Sequence, residues 1–274
     1  MRFTILCLLI AVFAHSATAQ SDSAREKVQL RLGVFHNTGL NYYGRTDSLR
    51  SSGSFPLAEI WFGDNFYINA APVFVSNAMS SFDYAGTVAT AGYRFSGEKL
   101  AGNFNLVKPF YEAGTGLVQS ALKAQFGATI TSLNKVMNIT AGGDVKFSDN
   151  VDFGATAGID HIFRKQFTDN SVLVFDPSAY VNAGTQQFTK TYYKRSSFLF
   201  FPGVEQTVTE RVKKFNILSY ELSMPVIYAK GKFQAIAIPA YVIPQNLITV
   251  EGRPDLSERG REMFYATVGV KLSL

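Results

Sequence analysis

The stretch Phe264-Tyr265-Ala266-Thr267-Val268-Gly269-Val270-Lys271-Leu272-Ser273-Leu274 decides the fold. Its even-numbered positions hold Phe, Ala, Val, Val, Leu and Leu, and its odd ones Tyr, Thr, Gly, Lys and Ser. Successive side chains of a strand point to opposite faces, so this segment has one apolar wall and one wet wall. Its length matches the roughly 9–11 residues with which a tilted strand crosses a bilayer.

The same period recurs upstream. Asn138, Thr140, Gly142, Asp144 and Lys146 share one face of a segment, and Asp152, Gly154, Thr156, Gly158 and Asp160 share one face of the next. A turn confined to Ser148-Asp149-Asn150 would set Lys146 directly opposite Asp152. Aromatic residues are 14% of the chain, with 24 Phe and 13 Tyr, while charged residues are only 17%. No long apolar run follows the N-terminus, so the hydrophobicity is distributed in short alternating pieces. That distribution suits a closed membrane sheet, which satisfies every backbone polar group without a lipid-exposed edge. A soluble sandwich or lipocalin-like barrel shares the alternation and is the rival architecture.

Residues 1–19 have the layout of a cleaved secretory signal: Arg2, an apolar core from Phe3 to Phe13, and Ala17-Thr18-Ala19 as a small-x-small site. The expected domain is then a single barrel over residues 20–274. The one cysteine, Cys7, falls inside the signal, so the mature chain is expected to carry no disulfide, thiolate metal site or cysteine nucleophile.

Turn chemistry sets the strand count. Gly63-Asp64-Asn65, Ser148-Asp149-Asn150 and Ala229-Lys230-Gly231-Lys232 are tight hairpin signals. Longer polar connections run from Thr38 to Ser54, Val118 to Asn134, Ser196 to Lys213 and Pro244 to Arg261. Short turns on one side and long loops on the other are the expected asymmetry of an up-and-down barrel. Rising strands are expected near Val28, Phe66, Leu106, Val151, Gly184 and Phe233, and falling ones near Phe55, Asp83, Lys135, Val172, Lys214 and Glu262. The fold class is therefore all-β, one antiparallel transmembrane barrel of about twelve strands, with roughly ten to fourteen compatible because Val172 to Arg195 reads as one strand or as a hairpin.

The C-terminal alternation resembles the assembly signal of outer-membrane barrels. Lys108-Pro109-Phe110-Tyr111-Glu112-Ala113-Gly114-Thr115-Gly116-Leu117 and Met137 to Phe163 are similar in style to the small outer-membrane barrels of Bacteroidota. The resemblance is architectural and implies an outer-membrane place, with no particular activity. The terminal Leu274 departs from the Phe or Trp usual in the proteobacterial signal.

Catalytic, cofactor and metal residues are not apparent. His36 and His161 are the only histidines after the signal, and neither has a metal-ligand spacing or a close acidic pair. His161 is expected near the outer rim. Outer-membrane phospholipases place His and Ser two residues apart, but Phe163 and Thr38 stand at that spacing here. Gly114-Thr115-Gly116 lacks the third glycine of a nucleotide loop, and the basic balance, with a pI near 9.2, is accompanied by no nucleic-acid recognition module.

The lumen-facing candidates are Arg31, Glu59, Arg94, Lys108, Glu112, Asp144, Lys146, Asp152, Asp160, Asp176, Glu221 and Lys271. Both signs are interspersed, which fits a filled lumen or a narrow, weakly selective passage better than a one-sign filter. Loop bases including Arg45, Arg50 and Arg261 gather at the proposed outer surface, where lipopolysaccharide phosphate or an anionic solute would meet them. The expected function is a passive element for small polar solutes. A closed barrel serving an envelope protein partner, and more distantly a lipid-modifying enzyme, are the alternatives.

Overall fold

The computed structural model describes residues 28–112, 121–186, 214–249 and 257–274. The expected signal and the apolar run Phe198-Leu199-Phe200-Phe201-Pro202 within the Ser196 to Lys213 connection lie outside these residues.

Fifteen strand segments form one antiparallel sheet: β1 (Val28–Asn37), β2 (Ser52–Phe62), β3 (Phe66–Ser76), β4 (Asp83–Ser96), β5 (Leu100–Tyr111), β6 (Ala124–Ser132), β7 (Asn138–Phe147), β8 (Val151–Asp160), β9 (Phe163–Thr168), β10 (Ser171–Phe175), β11 (Ser178–Gly184), β12 (Asn216–Ser223), β13 (Val226–Lys230), β14 (Phe233–Pro244) and β15 (Met263–Ser273). The sheet closes because β1 pairs with both β2 and β15, and β12 with both β11 and β14.

Three wall strands are each split in two without loss of register. Ser178 pairs with Ser223 and Phe175 with Val226, the same offset on each side of the break, and Asp160 and Phe163 face Ser178 and Phe175 in the same way. Segments β8 and β9, β10 and β11, and β12 and β13 are thus single strands, and the barrel has 12. Proline accounts for the splits at Pro177 and Pro225, since it has no N–H to give the ladder. Together with Pro239 in β14 these residues form a row in which only carbonyls engage: His161 N–H donates to Pro177 (3.2 Å), Asp176 N–H to Pro225 (3.0 Å) and Met224 N–H to Pro239 (3.0 Å).

The expected number of strands therefore agrees with the structure, but two errors cancel within it. Ala124–Ser132, assigned above to a long loop, is β6, a full wall strand between β5 and β7. Of the expected Val172 to Arg195 element, Val172 to Gly184 is one strand that pairs directly with β12, with no wall strand between them, and residues 187–195 lie outside the described residues. Between these two places the strand directions are inverted, so the Ser148-Asp149-Asn150 turn lies at the long-loop end and His161 in the opposite half of the barrel.

Exposure alternates as period two requires. Phe264, Val268, Val270, Leu272 and Leu274 are exposed, while Tyr265, Thr267, Gly269, Lys271 and Ser273 are half-buried. Exposed apolar side chains continue around the outside, among them Leu30 and Leu32 on β1, Ile68 on β3, Phe126 on β6, Ile139 on β7 and Phe153 on β8. Near the short-turn end Phe62, Phe66, Tyr93 and Phe104 stand directly opposite one another across β2, β3, β4 and β5. Such an aromatic row marks the interfacial girdle of a membrane barrel. Inside, rings lie flat on the wall where glycine clears the neighbouring strand: a Cβ at Gly92 would overlap Tyr67, and one at Gly158 would overlap Tyr180.

Candidate functional site

The site is the lumen, and its upper part is occupied by the chain's own first connection, residues 38–51. Leu40 N–H donates to Ser51 O (2.7 Å), and Tyr42 and Arg45 exchange both backbone bonds (2.8 and 2.9 Å). The turn between them places Tyr43 at φ 53° and Gly44 at φ 78°. Positive φ at both central residues is the type I′ pattern; glycine accepts it readily, whereas tyrosine does so at a cost of order 1 kcal/mol.

Arg45 explains why the turn is held there. Its side chain has no exposure, and all its donors are engaged. Nε donates to Glu258 Oε2 (3.0 Å), Nη1 to Tyr43 O (3.2 Å) and Leu218 O (3.1 Å), and Nη2 to Gln245 O (2.9 Å). The Gln186 amide, itself buried, turns its oxygen to the same guanidinium. A planar fork of five donors matches such a divergent set of acceptors, which a lysine ammonium cannot reproduce. The contacts tie the first connection to β12 and to the connection after β14, where Glu258 Oε2 also accepts from Ile248 N–H (2.9 Å). Arg45 is therefore not one of the solvated loop bases expected from sequence; its charge is neutralised inside the barrel.

Below and beside it sit Tyr42 and Tyr43, ring centroids 4.4 Å apart, with Lys146 Nζ 6.0 Å from each ring. Burial raises both hydroxyls well above the ordinary tyrosine range, and the Asp144 carboxylate adds to the effect. Lys146 is paired with Asp144 and lies opposite Asp152, the relationship the three-residue turn implied. Asp152 accepts from the Thr185 hydroxyl, and Asp160 from Asn138 Nδ2 (2.7 Å).

The remaining sequence candidates divide into three groups. In the lower lumen Glu59 is paired with Lys271, and Arg31 stacks over Trp61 at 4.4 Å while its Nε donates to Gln29 (2.8 Å). Glu221 lies against the Tyr265 hydroxyl, and Asp176 sits in the break between β10 and β11 beside Asp160. Arg94 is exposed near the end of β4, its N–H bonded to Asn65 O (2.7 Å) in the short turn. Lys108 and Glu112 are corrections. Lys108 shares its face with the exposed Phe104, Leu106 and Phe110 and lies 5.7 Å from the Phe110 ring, so it points outward; Glu112 is exposed one residue beyond β5. The three apolar neighbours carried the correct phase for β5.

Among the described residues the interior includes two adjoining cavities, of about 330 and 180 Å³, with Val88 and Tyr111 lining both. The larger is bounded by Asn37, Asn41 and Tyr265 on one side and by Leu40, Phe55 and Val73 on the other. On the outer face His36 Nδ1 lies 3.0 Å from Ser54 Oγ across β1 and β2, a partnership invisible in sequence because the two residues come from different strands. Among the described residues no three His, Cys, Asp or Glu side chains converge as metal ligands.

No protein-family model and no curated protein matches the sequence. Solved structures of similar shape include a KdgM porin at 10% identity, covering 89% of this chain and 99% of that one with a TM-score of 0.46. An outer membrane channel from Pseudomonas putida F1 matches at 9% identity over 93% and 100%, TM-score 0.47, and LpxR from Salmonella typhimurium at 7% over 88% and 99%, TM-score 0.45. Likeness at this level assigns no activity to the present chain.

Proposed function

We propose that this protein is an outer-membrane channel for small molecules, closed in the present conformation by its first connection. The observation that supports this best is the burial of Arg45 in the lumen, where one turn of residues 42–45 is held by a fork of side-chain hydrogen bonds together with backbone bonds to Arg259 and Arg261. A barrel serving only as a scaffold has no need of a removable stopper; a bulky core would fill it permanently. Beneath that turn lie unfilled chambers and a mixed-charge interior, which suit passage without strong ion selectivity. Exposed loop bases such as Arg50 and Arg261 are suited to lipopolysaccharide phosphate around the mouth.

Planar-bilayer recording tests the reading. Wild-type protein is expected to conduct rarely, and Arg45→Ala to conduct in long openings. If a folded Arg45→Ala barrel stays silent, the channel reading fails and the closed scaffold for an envelope partner takes its place.

The His36–Ser54 contact favours a second reading, a lipid-modifying enzyme acting from the outer face, because a hydroxyl within hydrogen-bond reach of imidazole is the start of a nucleophile–base pair. Release of fatty acid from phospholipid vesicles, abolished by Ser54→Ala, would support it; equal release by both proteins would dismiss it.

A further inference from the structure

We propose that the lumen contains a binding site for a small, neutral amphipathic molecule with a flat apolar body. The inner wall of a water-filled membrane barrel is ordinarily polar. Here Val73, Val75 and Ala85 are buried inside the wall of β3 and β4, with Leu40, Phe55, Val88 and Tyr111 packed on them. That apolar cluster is hollow, because the 330 Å³ cavity opens on Leu40, Phe55, Val73, Val88 and Tyr111 and shares the last two with the 180 Å³ cavity. An apolar hollow of about 150 Å³ already takes up benzene, so the larger chamber has room for two fused rings or a short acyl chain. Its size and its mostly apolar lining are those of a small-molecule pocket.

The polar rim defines the rest of the ligand. Asn37, Asn41 and Tyr265 face the cavity from the β1 and β15 side. The charges lining the two cavities are already engaged: the Asp47 carboxylate accepts from Leu49 N–H (2.7 Å) and Ser51 N–H (3.3 Å), Arg45 has spent its donors on Glu258 and backbone carbonyls, and Lys146 is paired with Asp144. An ion would give up its hydration for groups already engaged, whereas a neutral hydroxyl or ring N–H can use the second amide N–H and the second carbonyl lone pair that Asn37 and Asn41 keep beside their bonds to Thr267, Gly39 and Gly44. Sugars and amino acids leave most of their polar groups unmatched against Val73 and Val88.

This inference narrows the channel reading to a class of solute, and it rests on that reading only for how the ligand arrives. The full chain in lipid nanodiscs is titrated with indole, glucose and sodium benzoate by saturation-transfer NMR, with empty nanodiscs as reference. Indole is expected to saturate a single site, glucose and benzoate to show none, and Val88→Trp to weaken indole at least tenfold while the heat-dependent gel mobility of the folded barrel persists. Ala71→Leu, a smaller filling of the same cavity, replaces Val88→Trp should that variant not fold. Indole binding that is unchanged by either filling, or matched by glucose, overturns the proposal. Indole binding in a barrel that never conducts as Arg45→Ala would keep the site and remove the channel.

Discussion

Arg45 Nε and Glu258 Oε2 meet at 3.0 Å with side-chain exposures of 0% and 1%, joining two connections 213 residues apart in the chain. Removing one partner of such a pair leaves the other buried and uncompensated, at a cost of about 3–5 kcal/mol. Glu258→Gln keeps the shape and loses the charge, so it is expected to raise the open fraction in bilayer recordings at least tenfold. An Arg45→Met, Glu258→Met double variant should be better closed than either single change. Equal conductance in all variants would show that the pair does not hold the stopper.

Alkaline pH is expected to release the same turn. The folded-state values of Tyr42 and Tyr43 lie above the unfolded value of 10.0, chiefly through burial. Protonated tyrosine is the form the buried state accepts, so its contribution is intact below pH 10 and falls as pH rises beyond it. Conductance should climb above about pH 10 in wild type, and the climb should begin later in Tyr42→Phe, Tyr43→Phe. An identical onset in both would exclude these hydroxyls as the trigger.

Glu59 and Lys271 are half sealed in the lower lumen, their side chains 11% and 16% exposed. Glu59→Gln is expected to lower the unfolding free energy by about 1–3 kcal/mol, the usual consequence of leaving a charged donor short of its acceptor. Urea unfolding followed by tryptophan emission reports this directly, since Trp61 Nε1 lies 3.4 Å from Glu59 Oε2. A midpoint unmoved by the substitution would mean that water already replaces the pair.

Facing is open to a reporter test because the chain has a single native cysteine, Cys7. With Cys7 replaced by Ser, spin labels at Val270 and Lys108 are expected to be more accessible to oxygen than to a nickel chelate, and a label at Thr267 the reverse. Lys108 decides the matter, since sequence alone suggested the wet side. Chelate access at 108 equal to that at 267 would return it to the lumen.

The wall was largely legible because lipid imposes period two with few exceptions, as in Phe264 to Leu274. Where the outer face is weakly apolar the signal faded. Ala124–Ser132 alternates Phe126, Ala128 and Ile130 with Gln125, Gly127 and Thr129, and its polar half resembles loop composition closely enough to be mistaken for one. At Lys108 the charge suggests the wet side, while Phe104, Leu106 and Phe110 beside it carry the true phase. The stopper was illegible for a different reason: Arg45 and Glu258 have ordinary loop neighbours, and nothing local records that a connection folds inward. Their complementarity exists only after the barrel has closed. The His36–Ser54 contact and the apolar chamber likewise depend on cross-strand register.

Pro177, Pro225 and Pro239 form a seam across neighbouring strands in which each contributes a carbonyl and none a donor. A cylinder stitched evenly is stiff, and one with a line of dropped stitches yields along that line. Lateral pressure from the bilayer would be converted there into a local change of cross-section, as it would between β2 and β3, where Pro56 and Pro72 interrupt the ladder from Ser54–Phe74 to Ala58–Ala70. The proline seam runs beneath the strand, β12, on which Arg45 is anchored.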